Sequence, residues 1–468
     1  MKKSKQASGS SDLNRREFIQ NTASFSAMMA LMGGVPLYAE ETNSMTAATK
    51  YSTVSAPVDC AVVGCGVWGR EILQTLSRLP NAPVVAVCDN YEAAFRRAKE
   101  SAPNAETFTD FRKLLEKKEV QAVMVATPSH LHREIVEAAL AAGKHVYCEA
   151  PLAANVEDAQ AIARAAKAAV KVNFQSGLQM RSNPQRHFLL PFIRSGATGK
   201  NVMARSQWHK KQSLRRAAAN PEREKAINWQ ISAVTSPGLM GELVIHQLDM
   251  IRWLLNTRPM AVSGWGSTLL WKDGRDVADT VQALFEFPDG VNYCADAALT
   301  TSFDSSYEIL YGTDSTMMLR ATSEEGAKAW LFKEVDSPLL GWEVYARKEQ
   351  FYRETGIALV ADASKLQKAQ QQGAPPPPAV TSLQHVLAAF ITNSVVVAKG
   401  VEDFTSNFGE DAEAMREYIT GPTITKARRP AAGWQEGFEA TVLALKANEA
   451  ISKGQGHRIL IEKQLFEI

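Results

Sequence analysis

Glu242, His246 and Asp249 recur at i, i+4 and i+7, a spacing that places an imidazole and two carboxylates on one face of a helix. A histidine one turn after a carboxylate can be oriented and made more basic by it. Such an imidazole suits removal of a proton from a hydroxyl while hydride leaves the same carbon. On its own the spacing also fits a surface ion pair.

The acceptor for such a hydride is suggested far upstream, in Asp59-Cys60-Ala61-Val62-Val63-Gly64-Cys65-Gly66-Val67-Trp68-Gly69-Arg70. Cys60 to Val63 reads as a fully buried strand. It breaks into Gly64-x-Gly66-x-x-Gly69 and is followed by a helical pattern from Arg70 to Leu79, with Ile72, Leu73, Leu76 and Leu79 on one face. Strand, glycine turn and helix form a dinucleotide fingerprint. Gly64 permits the tight turn, Gly66 lets backbone approach a pyrophosphate, and Gly69 lets helix and strand pack closely. Val67 and Trp68 fill the variable positions beside that pyrophosphate, where a helix N-terminus offers free N–H groups. Asp89 ends the next apolar run, Val84 to Cys88. An acid there bonds the adenosine ribose hydroxyls and repels a 2′-phosphate, so NAD is favoured over NADP. Asp89-Asn90 also reads as a helix cap.

The elements that must position these residues alternate. Helices are predicted at 91–99, 111–116 (capped by Asp110), 131–142 (closed by Gly143) and 156–168, and strands at 120–126, 145–148 and 170–174. That alternation implies a doubly wound parallel sheet whose strand C-termini share one edge, where ligands bind. Two segments fall on the edge: Ala126-Thr127-Pro128-Ser129-His130-Leu131-His132 and Cys148-Glu149-Ala150-Pro151.

With these residues the chain resembles the glucose-fructose oxidoreductase / inositol dehydrogenase / rhizopine-catabolism (Gfo/Idh/MocA) family of NAD(P)-dependent sugar oxidoreductases. The family carries the glycine fingerprint, an A-T-P-x-x-x-H segment, a Glu-Lys-Pro segment, and a helix with an acid, then His, then Asp. Here these are Ala126-Thr127-Pro128 with His132, Glu149-Ala150-Pro151, and Glu242, His246 and Asp249. The resemblance runs from about Val58 to Leu270 and resumes in the helix at 437–453. It implies an N-terminal Rossmann domain over 57–176 and an α+β domain over 177–468 with a largely antiparallel, open-faced sheet. It implies a tightly bound NAD, with NADP the lesser alternative, and cofactor contacts at Gly64, Gly66, Val67, Trp68, Gly69, Asp89, Thr127, Pro128, His132, Glu149, Pro151 and Gln175. It implies His246 as base, with Glu242 orienting it or meeting sugar hydroxyls, and Arg181, Trp229 and Gln247 as substrate contacts. A homo-oligomer, dimer or tetramer, is the expected assembly. Two departures stand out. Ala150 replaces the family's lysine, which approaches both nicotinamide and the reacting hydroxyl, and Glu242 replaces the usual Asp. Lys210 or Lys211, after a predicted strand at 200–209, is the candidate replacement for the missing ammonium.

In the second domain a hairpin is predicted from 281–287 through Pro288-Asp289-Gly290 to 291–300, with strands at 309–311, 316–320 and 329–333, helices at 382–399 and 434–453, and a closing strand at 457–461. Residues 341–378 read as helical and charged, then Gln-rich, then a polyproline run at 375–378: a surface insertion.

The 468 residues carry 52 basic against 50 acidic side chains, net +2, which gives no basic nucleic-acid footprint. Five cysteines without zinc spacing read as small core residues, and no metal site is expected. Asn14-Arg15-Arg16-Glu17-Phe18-Ile19 before a short, broken apolar stretch resembles a twin-arginine export signal. Residues 1–40 are then a signal, 41–56 a linker, and the mature protein periplasmic, without a membrane span. Three readings follow: hydride transfer on a carbohydrate or polyol; a glycosidase that oxidises its sugar transiently and recycles NAD; and a carbohydrate-binding relative with reduced catalysis, to which Ala150 points.

Overall fold

The protein is described here as a computed structural model covering residues 56–322, 326–337, 348–351, 354–358, 380–454 and 456–468. The expected export segment lies outside the described residues, as do the linker up to residue 55 and most of the expected insertion.

The first sheet has six parallel strands: β1 (Cys60–Val63), β2 (Val84–Cys88), β3 (Glu106–Phe108), β4 (Ala122–Val125), β5 (His145–Cys148) and β6 (Phe174–Ser176), in the order β3-β2-β1-β4-β5-β6. The helices between them are α1 (Val67–Leu76), α2 (Ala93–Ala98), α3 (Phe111–Leu115), α4 (His132–Ala141) and α5 (Val156–Ala168). β1 and β4 are buried throughout, which is why they read as continuous apolar runs. α1 buries Ile72, Leu73 and Leu76, each fully enclosed side chain contributing about 1.5–3 kcal/mol. Asp110 and Asn155 accept hydrogen bonds from Arg112 N and Asp158 N and so start α3 and α5.

The structure differs from expectation at two strands. β3 has no apolar run and pairs only as the sheet edge beside β2. The last strand falls at 174–176 rather than 170–174, because the β5 ladder pairs Val146 with Phe174 and Cys148 with Ser176. Neighbour register, more than the valines at 170 and 172, decides where it lies.

The second unit follows through α6 (Pro184–Phe192), β7 (Asn201–His209), α7 (Pro221–Ile227) and α8 (Ile245–Leu255). Its sheet continues with β8 (Ala261–Ser267), β9 (Thr280–Glu286), β10 (Asn292–Ala298), β11 (Ser306–Gly312), β12 (Ser315–Thr322), β13 (Gly326–Lys333), β14 (Lys348–Phe351), β15 (Glu354–Ala358) and β16 (Arg458–Leu460). The order is β14-β15-β13-β12-β11-β7-β10-β9-β8-β16, antiparallel except where β7 lies parallel to β10. The hairpin turn passes through Asp289 at φ 61°, a left-handed conformation Asp tolerates. One face holds a core including Leu248, Ile251, Phe285 and Tyr293. Part of the expected helical insertion is strand instead: β15 extends the sheet by pairing Leu331 with Ile357.

The C-terminal helices are α9 (Ser382–Phe408), α10 (Ala412–Thr420), α11 (Pro422–Ala427) and α12 (Trp434–Lys453). α9 returns to the first sheet: Val386, Leu387, Phe390 and Ile391 share a core with Cys60, Val62, Ile72 and Leu73. α12 gives Phe438 and Val442 to the first domain's other core, and Leu443 and Ala447 to the second domain's. Sequence division at residue 176 is therefore not a division of the packing. Among the described residues no helix is long and apolar enough to cross a membrane.

Candidate active site

The glycine turn has the backbone its sequence requires. Gly64 sits at φ +98°, and a Cβ there would lie 2.6 Å from the Ala126 carbonyl oxygen. A Cβ on Gly69 would lie 1.8 Å from the Gly64 carbonyl oxygen, so helix and turn can meet only because position 69 has no side chain. A Cβ on Gly66 would meet nothing. The space over Gly66 is open, and α1 starts there with no side-chain cap and no acid in its first turn. Val67 and Trp68 stand 45% and 42% exposed at that end. An open cradle facing uncapped N–H groups fits the pyrophosphate of a dinucleotide.

Asp89 is drawn toward the same turn. Its Oδ2 accepts the Cys65 N–H at 2.8 Å and its Oδ1 the Tyr91 N–H at 2.9 Å. The carboxylate thus fixes the glycine turn and the loop after β2 in one stroke. The cysteines are core residues: Cys60, Cys65, Cys88 and Cys148 are buried and free, and burial pushes the Cys65 and Cys88 thiols up to about 12.

The segments after β4 and β5 are pegged from behind. His132 is buried; its Nε2 faces the Thr127 carbonyl at 2.9 Å, and its Nδ1 faces the Leu152 carbonyl at 3.2 Å and the Cys148 thiol at 3.4 Å. Burial lowers this imidazole to about 4, so it is neutral at pH 7 and carries one ring N–H to share between these carbonyls. Glu149, 8% exposed, accepts the Tyr147 hydroxyl at 2.9 Å and the Trp68 indole N–H. Burial raises its carboxyl to about 7. The Thr127 hydroxyl is buried without a protein partner.

From the second domain, a π-helical turn at Met240–Val244 leads into α8. A Cβ on Gly241 would clash with Pro237 and reach within 4.0 Å of Pro151. The missing side chain lets this turn fold onto Pro237, with Pro151 of the segment after β5 at ordinary contact distance. Glu242, next in sequence, crosses to the first domain: its Oε1 accepts the Ser129 hydroxyl at 3.1 Å, and its Oε2 accepts the Gln230 amide at 3.0 Å. Burial raises this carboxyl to about 7. Trp229 stands beside His130, ring centroids 6.2 Å apart. His246 follows one turn after Glu242, half-buried, its imidazole lowered by burial and raised in part by the Asp249 charge. At pH 7 it is neutral and able to accept a proton.

Other expected ligand contacts are held by protein partners. Arg181 forms a two-pronged ion pair with Asp249, both bonds 2.8 Å, and lies over the Trp253 ring. Asp249 also pairs with Arg252, which in turn reaches Glu439 on α12. The Gln247 amide donates to the Gln207 carbonyl and the Ser306 hydroxyl. The Gln175 amide donates to the Val386 carbonyl on α9, leaving its own oxygen without a partner. Glu242, expected to orient His246 or to meet sugar hydroxyls, bonds Ser129 and Gln230. Ala150 packs on the second domain's core, and Lys210, just past the end of β7, is exposed with its backbone N–H on the Ala298 carbonyl. Three residues that sequence reasoning passed over come to the cleft: Ser129 and His130, both inside the A-T-P-x-x-x-H segment, and Gln230, for which the sequence carries no signal.

Comparison with known proteins follows the two units. Residues 58–177 match the GFO_IDH_MocA oxidoreductase family, NAD-binding Rossmann fold, and residues 191–318 match the GFO/IDH/MocA C-terminal domain. Inositol 2-dehydrogenase of Pseudomonas fluorescens (strain SBW25) is 34% identical over 197 residues, 42% of this chain and 54% of that protein. The Corynebacterium glutamicum (strain ATCC 13032) protein of the same name is 27% identical over 210 residues, 45% of this chain and 57% of its own length. The chain thus spans about half the length of the curated relatives it matches. Among solved structures, levoglucosan dehydrogenase in complex with NADH and levoglucosan superposes with a TM-score of 0.63 at 17% identity, covering 87% of this chain and 100% of that one. Aldose-aldose oxidoreductase from Caulobacter crescentus, complexed with glycerol, gives 0.59 at 18% identity over 86% and 100%. At these identities the likeness is one of fold.

Proposed function

Because the chain belongs to the GFO/IDH/MocA oxidoreductase family by both of its domains, we propose that it transfers hydride between NAD(P) and a hydroxyl-bearing carbon of a carbohydrate or polyol. The observation that carries this reading is the Ser129–Glu242 hydrogen bond. It joins the strand edge beside the glycine turn to the turn that leads into His246. A nicotinamide bound along that edge supplies the hydride acceptor.

The chain's own residues do the rest. The open cradle at Gly66 and the first N–H groups of α1 bind phosphate, and Asp89 meets the adenosine ribose, which favours NAD. The neutral His246 takes the hydroxyl proton as the C–H bond gives up its electron pair, and a carbonyl forms. With Ala150 in place of a lysine, the imidazole is the group available for that proton. Glu242 and Gln230 offer sugar hydroxyls an acceptor and a donor, and Trp229 gives an apolar face for a pyranose or cyclitol ring. The names of the inositol and levoglucosan dehydrogenases support a polyol or sugar as substrate. The Arg15-Arg16 segment supports export by the twin-arginine route, which carries folded protein and suits a retained cofactor.

The test is mass spectrometry of ligand released from purified protein, followed by a panel of sugars and polyols read at the nicotinamide absorbance. Released NAD(H) and a change in absorbance with at least one polyol are expected. Protein that takes up no NAD(H), or that never changes absorbance with any sugar, overturns the reading. Phenol release from aryl glycosides without added NAD would redirect it to glycoside cleavage with recycled cofactor.

A further inference from the structure

Two residues past Asp89, the second domain touches the first again, far from His246 in the sequence and on a different element. α7 is fixed at its start by Asn220, whose side chain accepts the Arg223 N–H at 2.8 Å, and at its end by Asn228, which donates to the carbonyls of Arg216 and Glu224. From this anchored helix the Arg223 side chain crosses the interdomain gap. Its guanidinium lies 4.1 Å from the centre of the Tyr91 ring, and Nη1 donates to Asn90 Oδ1 at 3.5 Å. Tyr91 is itself tied to Asp89 through its N–H, and Asp89 to the glycine turn through Cys65.

We propose that Arg223 is a clasp over the adenosine end of the bound dinucleotide, closing from the substrate domain onto Asn90 and Tyr91 and slowing cofactor release. This rests on the cofactor reading above. In a doubly wound sheet the acid at the end of β2 marks the adenosine ribose, so the loop just after it borders the adenine. A dinucleotide whose ribose met Asp89 would have its adenine beside Asn90 and Tyr91, the two residues that Arg223 holds. Tyr91 remains 42% exposed despite the guanidinium over it, so surface is left for a base to stack against. A planar guanidinium can stack on an aromatic ring and hydrogen-bond in its own plane at once, which a lysine in the same place could not. The contact is made by the second domain, so cofactor retention depends on both domains rather than on the first alone.

The experiment measures release of NADH from the full chain by loss of bound-nucleotide fluorescence on mixing with excess NAD. R223M and Y91A are each expected to raise the dissociation rate about tenfold. The double variant is expected to release no faster than the faster single one, because both remove the same contact. Normal uptake of NADH with an unchanged dissociation rate in R223M overturns the clasp alone, as does a double variant in which the two effects multiply. Wild-type protein that takes up no NADH overturns the clasp and the cofactor reading together.

Discussion

The Ser129 hydroxyl donates to Glu242 Oε1 at 3.1 Å, and the two residues belong to different domains. The bond ties the loop after β4 to the π-helical turn that leads into α8. It is made to a carboxyl that burial has raised to about 7, so near neutral pH the link is held partly by a protonated acid.

That raised value sets a pH dependence. The folded group holds its proton more tightly than the unfolded one, so its contribution to stability is complete below the ordinary glutamate range and is lost as pH rises through about 7. Glu242→Gln imitates the protonated form at every pH. The melting temperature of wild type relative to this variant is expected to fall between pH 5 and pH 8. A constant difference across that range would remove the pH-linked role.

His246→Gln is expected to lower kcat by a factor of about 10²–10⁴ and leave NADH affinity unchanged. Steady-state kinetics beside a fluorescence titration separates the two quantities. Turnover close to wild type would take the imidazole out of the reaction.

Asp249 bears on His246 through its charge. Its carboxylate raises an imidazole that burial has lowered, so Asp249→Asn should move the acid limb of kcat/KM to lower pH. The variant also takes the buried carboxylate from Arg181, whose side chain is only 11% exposed, at a cost of about 3–5 kcal/mol in denaturant unfolding. An acid limb that stays put, or moves up, contradicts the assignment.

Two alanines separate binding from folding. At Gly66 an added Cβ meets nothing, so Gly66→Ala should melt as wild type does, yet weaken NADH binding about tenfold or more by filling the phosphate cradle. At Gly69 the added carbon would sit on the Gly64 carbonyl, so Gly69→Ala should lose about 1–3 kcal/mol of stability or more. Equal effects on both properties in the two variants would contradict this division.

Much of this molecule is local, and local features are legible in a sequence. β1 and β4 are apolar because both faces are covered, Gly64 and Gly69 are forced by positive φ and close approach, and Asp110 announces a helix through its own side chain. The spacing of Glu242, His246 and Asp249 marked a helix face. Which partner each side chain takes is not local. Arg181 and Gln247 were polar residues near a motif, and only the folded chain turned one toward Asp249 and the other toward Gln207. Glu242 is read from the sequence as orienting His246 or meeting sugar hydroxyls; in the π-helical turn that precedes α8 it bonds Ser129 and Gln230, partners no i, i+4 count contains. α9 likewise carries an apolar face whose destination, the back of the first sheet, its own residues do not name. Periodicity and glycine chemistry act within a few residues, so the sequence alone determined the buried strands β1 and β4, the glycine turn and the helix faces. Hydrogen bonds and packing between segments far apart in sequence are chosen by what fills the space, so only the tertiary structure decided which side chains meet across the cleft.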